Sequence, residues 1–151
     1  MTEILEKMSV LLAPILDLHG AFLVELLIRN ERGGKIVQAF VETDKGITIE
    51  ECSLISRELA QELDRGELLQ GSYRLEISSP GIDKPIRMLR QYTKNIGRTF
   101  KVLHQEPESR ATLLGKLIAI EGDRLTFESE KGARTTVDFN KIIESKEELP
   151  W

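Results

Sequence analysis

Leu75-Glu76-Ile77-Ser78-Ser79-Pro80-Gly81-Ile82-Asp83-Lys84-Pro85-Ile86-Arg87 is the stretch at which the hydrophobic period of the chain changes. It opens as a strand, in which Tyr73, Leu75 and Ile77 alternate with Arg74, Glu76 and Ser78 just after Gly71. Ser79-Pro80-Gly81-Ile82 then suits a type II turn, proline setting the first corner and glycine accepting positive φ at the second. Pro85 drives Lys84 towards an extended backbone. Leu89, Tyr92 and Ile96 follow at helical spacing, and Gly97 can end that short helix. Upstream of this stretch helical and strand periods alternate, whereas downstream every segment has the strand period. The reading is a domain over 1–83, a basic linker with a short helix over 84–97, and a second domain over 98–151.

Working upstream, Ile4, Leu5, Met8, Leu11, Leu12, Ile15 and Leu16 make one helical apolar stripe, which Thr2 can cap and Gly20 can end. Pro14 removes a backbone donor and should kink or interrupt it. Residues 21–29 alternate, with Phe22, Val24, Leu26 and Ile28 expected on one face. A glycine-rich turn over 30–35 joins them to a second strand over 36–42, as a hairpin. Thr48 and Glu51 have the spacing of a capping box, and Ile49, Cys52, Ile55, Leu59 and Leu63 trace the stripe of a second helix. The order helix, strand, strand, helix, strand predicts an α+β domain, αββαβ, with two helices on one face of a three-stranded sheet. Its strand-helix-strand crossover should be right-handed, and the opposite sheet face is left partly open.

Downstream, strands are expected over 99–104, 113–120, 125–129 and 134–139, and Asn140-Lys141-Ile142-Ile143 gives one tight turn and a last short strand. Glu121-Gly122-Asp123 and Glu130-Lys131-Gly132 are hairpin connections. Five short strands in meander order suggest a small closed or half-closed barrel.

Composition narrows the function. The 151 residues are 40% hydrophobic and 30% charged with interspersed signs, which suits a globular chain. No stretch approaches the about 18 apolar residues of a membrane span, and the acidic start lacks the pattern of a secretory signal. A cytoplasmic protein is expected. The single Cys52 excludes an internal disulfide and reads as a small core hydrophobe. His19 and His104 stand apart from any ligand-spaced Cys or His, so no metal site is expected. Gly33-Gly34 lacks phosphate-loop spacing, and Ser78-Ser79-Pro80-Gly81 lacks the glycine pattern of a nucleophile elbow. No catalytic residue, cofactor or small-molecule substrate is expected.

The net charge of −4 hides an asymmetry: residues 1–86 carry 9 Lys/Arg and 15 Asp/Glu, and residues 87–151 carry 12 and 10. Within 84–105 stand Lys84, Arg87, Arg90, Lys94, Arg98 and Lys101 without one acidic residue. Six cations lacking sequence-local acid partners read as a phosphate-contacting stripe. If all six met phosphates, the logarithmic salt slope would approach about −5. Tyr92 could stack on an unpaired base, but its spacing favours the core. An acidic first half beside this stripe fits local contact with RNA and acidic surface offered to a basic protein.

The Leu75–Arg87 stretch resembles the signature segment of RimP, the bacterial ribosome maturation factor family. Gly46-Ile47-Thr48-Ile49-Glu50-Glu51-Cys52 with Ser56-Arg57 and Leu63-Asp64 is similar to that family's second helix. Gly97-Arg98 with Val102, and Val137-Asp138-Phe139 with Ile142, are similar to its barrel segment. The resemblance implies an SH3-like, Sm-like barrel as the second domain. It implies a non-enzymatic factor for assembly of the small (30S) ribosomal subunit, which binds free or immature 30S and promotes incorporation of small-subunit protein twelve near 16S rRNA. Ser78, Ser79, Pro80, Gly81, Asp83 and Pro85 would then link the domains and shape the ribosome-facing surface. A monomer is expected. The alternative is a general RNA-binding module; the acidic first half and the lack of a G-x-x-G clamp count against it.

Overall fold

The computed structural model describes residues 2–66, 68–69, 71–81 and 84–149. The side chain of Thr2, and Ile82 and Asp83 of the boundary motif, lie outside the described residues. The chain falls into two compact units, Met1–Pro80 and Gly81–Trp151.

The first unit runs α1 (Thr2–Leu18), β1 (Ala21–Glu31), β2 (Gly34–Thr43), α2 (Ile49–Gly66) and β3 (Tyr73–Ser78). Its sheet has the order β1-β2-β3, with β1 antiparallel and β3 parallel to β2. Met8, Leu12, Ile15 and Leu16 of α1 and Ile55, Leu59 and Leu63 of α2 form one buried cluster with Val37, Ala39 and Val41 of β2. Both helices therefore share one sheet face, because only that face offers apolar residues at every second position of β2. Helix α1 is not interrupted at Pro14. The missing donor faces the carbonyl of Val10 on the wet side of the helix, where water can serve that oxygen.

Strict alternation along β1 does not hold. A bulge between Leu23 and Glu25 leaves Val24 without a partner, and Phe22 pairs with Glu42 whereas Leu26 and Ile28 pair with Ala39 and Val37. The extra residue shifts the register by one, so Leu23, Leu26 and Ile28 pack on the helical cluster and Phe22 turns to the opposite face. That opposite face is not open throughout, since Phe22, Ile36 and Glu42 are buried. Ile49 leaves the expected α2 stripe and is 87% exposed.

The second unit holds a 3-10 helix (Leu89–Asn95), then β4 (Thr99–Gln105), β5 (Arg110–Glu121), β6 (Arg124–Glu128), β7 (Arg134–Asp138), a 3-10 turn (Phe139–Lys141) and β8 (Ile142–Glu147). The sheet order is β7-β6-β5-β4-β8, antiparallel throughout. Five strands in one sheet are consistent with a small barrel, but the ladder does not close: β7 and β8 are its edges. Tyr92, Phe100, Val102, Leu117, Leu125 and Phe127 fill the interior. The Tyr92 ring meets Phe100 edge-on at 5.5 Å and Phe139 at 6.3 Å.

Candidate nucleic-acid interface

The basic run is built on the interior it covers. Ile86 N–H donates to the Ser145 carbonyl at 2.7 Å, tying the start of the run to β8. Gln91 is buried, and its Oε1 accepts from the backbone N–H groups of Arg87 and Met88 at 2.7 and 2.8 Å. These bonds satisfy donors at the entry of a helix that has no Ser, Thr or Asp to cap it. In a 3-10 helix residues three apart eclipse, so Leu89, Tyr92 and Asn95 turn inward together. Asn95 takes the buried place expected for Ile96, which is 53% exposed, and its Nδ2 donates to the Gln91 carbonyl at 2.9 Å. Tyr92 is a core residue with no exposed face for a base. Burial pushes its phenol up to about 12, while the adjacent Ser145 hydroxyl pulls the other way.

Around this interior Arg87, Arg90, Lys94, Arg98 and Lys101 are exposed, and Lys84 is half-buried. All six belong to the second unit. The premise that they lack partners does not hold. Arg98 Nη1 donates to Glu147 Oε2 at 3.1 Å, an acid 49 residues away that β8 carries to the side of β4. Lys84, Arg87, Arg90 and Lys94 also each make an interaction within the structure. In the Arg98–Glu147 pair the guanidinium is exposed although the carboxylate is largely covered. A pair open to solvent on one side contributes about 1 kcal/mol or less, so the guanidinium is able to exchange it for another anion.

Lys101 gains a neighbour that the sequence hid. It stands on the outward face of β4 directly opposite Lys146 of β8, with Leu114 of β5 on its other side. Like charges directly opposite one another destabilise a ladder, and an anion over the pair relieves that cost. The only sequence signal for Lys146 is its alternation with buried Ser145 in the last strand.

Of the boundary motif, Ser78 ends β3 and pairs with Phe40, and Ser79 follows it on the surface. Pro80 is half-buried, Pro85 is exposed, and Lys84 N–H closes a turn on the Gly81 carbonyl at 3.1 Å. The type II turn expected at Ser79–Ile82 extends beyond the described residues.

Both histidines face carboxylates. His19 Nε2 lies 3.3 Å from both carboxylate oxygens of Glu58, and His104 Nδ1 lies 3.0 Å from Glu106 Oε1. Cys52 is half-buried against the helical cluster; burial, with Glu51 and Glu42 nearby, raises its thiol above the usual range and keeps it protonated. Among the described residues no cluster of three or more His, Cys, Asp and Glu could hold a metal, and no helix is long and apolar enough to cross a membrane.

Residues 11–83 match the family model described as the RimP N-terminal domain. The match runs from the middle of α1 through the βαβ crossover and β3 into the boundary motif, and so takes in most of the first unit. The first unit therefore carries a RimP N-terminal domain, and this match supports the RimP family of ribosome maturation factors.

Proposed function

We propose that this chain is a non-catalytic assembly factor for the small (30S) ribosomal subunit. In this reading it binds free or immature 30S, promotes incorporation of small-subunit protein twelve, and favours productive folding of 16S rRNA. The observation that carries the reading is the family match over 11–83, which takes in the signature-like segment Leu75–Arg87 as far as residue 83. The second unit acts as an SH3-like, Sm-like barrel whose exposed loops meet the ribosomal protein by surface complementarity. The factor works in the cytoplasm as a monomer, without cofactor or small-molecule substrate.

The mechanism is population shift. A factor that binds the immature arrangement better than the mature one biases assembly by that difference in affinity, and leaves when the difference is gone. Lys84, Arg87, Arg90, Lys94, Arg98 and Lys101 contact phosphates, Arg98 exchanging its pair with Glu147 for rRNA. The test is co-sedimentation with small subunits stripped of protein twelve, against complete 30S, 50S and 70S particles, at two salt concentrations. Selective, salt-sensitive binding to the stripped small subunit is expected. Equal binding to all particles together with tight binding to naked RNA would replace the reading with that of a general RNA-binding module.

A further inference from the structure

In the first unit a cavity of about 530 Å³ opens between α2 and β3, and the stripe does not touch it. Its apolar lining comes from Ile47, Ile49, Cys52, Ala60 and Ile77. Its hydroxyl groups come from Thr48, Ser53 and Ser56 at α2 and from Ser78 and Ser79 at the end of β3. Arg57 is the one charged side chain among the described residues that line it. All of the lining except Ala60 comes from two segments far apart in sequence, 46–57 and 75–79, and all but Ser53 and Ala60 are among the residues through which the first unit resembles its family.

Three features say what fits there. First, β3 is an edge strand: its six residues Tyr73–Ser78 pair with β2 and with no other described strand, so one row of N–H and C=O groups faces outward beside the cavity. The other edge, β1, is protected by its bulge, whereas β3 carries neither a bulge nor an internal proline. Second, the cavity lies on the face of the sheet that α2 covers. A strand added to β3 would send every second side chain down onto Ile77 and Ala60. Third, the charge is single and positive. Arg57 is exposed, Glu51 is turned into the cap at Thr48, accepting from the Thr48 N–H and hydroxyl at 3.0 Å each, and Asp64 is held by the Tyr73 hydroxyl at 2.6 Å. Among the described residues the lining holds no aromatic ring on which a base could stack.

We infer that this groove binds an extended peptide segment of a partner protein by strand addition to β3, with small apolar residues at alternate positions and a carboxylate opposite Arg57. The inference stands on the first unit alone and does not depend on the rRNA reading.

Random twelve-residue peptides displayed on phage and selected on the full-length protein test it. The selected peptides should alternate apolar residues, carry Asp or Glu, and perturb backbone amide resonances of β3 and of α2 around Ser53–Ala60. Arg57→Glu, an exposed change, should weaken them at least about tenfold, and Ser56→Trp, which fills the cavity, should weaken them further. N-methylation of alternate peptide amides should abolish binding even to the unaltered protein. Selection of basic peptides, resonance changes confined to the second unit, indifference to Arg57→Glu, or no selected peptide at all would each overturn the inference.

Discussion

Reversing Arg90, Lys94 and Lys101 to glutamate puts the phosphate-contact account at risk in one variant. The three side chains are exposed, and none belongs to the packed interior of Tyr92, Phe100 and Phe127. Each phosphate contact contributes roughly 0.7 to 0.9 to the logarithmic salt slope. Of six cations, half-buried Lys84 is least available, so the five exposed ones predict a slope near about −4. Between about 50 and about 200 mM salt that is a loss of roughly 250-fold in affinity. The triple variant retains Arg87 and Arg98, for a slope near about −1.5 and a loss of roughly eightfold over the same range. The assay is small-subunit binding measured across a salt series, with far-ultraviolet circular dichroism and a urea midpoint to show that the variant is folded. A parallel variant with glutamine at the three positions separates lost attraction from added repulsion. An unchanged slope in a folded triple variant would remove these residues from the mechanism, whatever happened to the affinity itself.

Gly34→Ala should destabilise the first unit by about 2 kcal/mol or more, because φ is +127° there and a Cβ would sit 2.1 Å from the Ser72 carbonyl oxygen. Gly33→Ala, with open space around the new methyl, should shift the urea midpoint little. Leu59→Ala, at a fully buried position between the helices and the sheet, should cost about 2–5 kcal/mol by urea unfolding. Alkaline stability should be set by two phenols, each raised to about 12: Tyr73, through its bond to Asp64 and burial, and Tyr92, through burial. A raised phenol favours the protonated fold, so its contribution is whole below the unfolded value near about 10 and is lost as pH climbs towards about 12. Titration of the phenolate absorbance alongside unfolding should show both events in that window, and Tyr73→Phe and Tyr92→Phe should each remove one of them.

Local signals were legible and distant ones were not. The cap at α2 was readable because Thr48 and Glu51 are three residues apart, and the structure forms it reciprocally, with the Glu51 N–H donating to Thr48 Oγ1 at 3.0 Å. The turn into β2 and the interior place of Tyr92 were readable for the same reason. The face of Phe22 was not: one unpaired residue at Val24 inverts it, and nothing in an alternating run announces a bulge. Asn95 replaced Ile96 in the interior because the short helix has three residues per turn rather than 3.6, and both periods fit Leu89 and Tyr92 equally. At the candidate interface the cations themselves could be read, but their counter-charges could not. Glu147 reaches Arg98, and Lys146 faces Lys101, only because β8 pairs with β4 rather than with the strand before it. A charge run in a sequence therefore marks where cations are concentrated, and topology decides what already faces them.

The central claim, that this chain promotes maturation of the small subunit, is tested most directly by kinetics of assembly. Labelled small-subunit protein twelve is added to salt-stripped small subunits with and without the chain, and its incorporation is followed in time. The account predicts faster incorporation with the full-length protein, an effect that fades as salt rises and is lost in the Arg90, Lys94 and Lys101 triple reversal. Incorporation at the same rate with and without the chain, while the chain is shown to be bound to the particle, would contradict it.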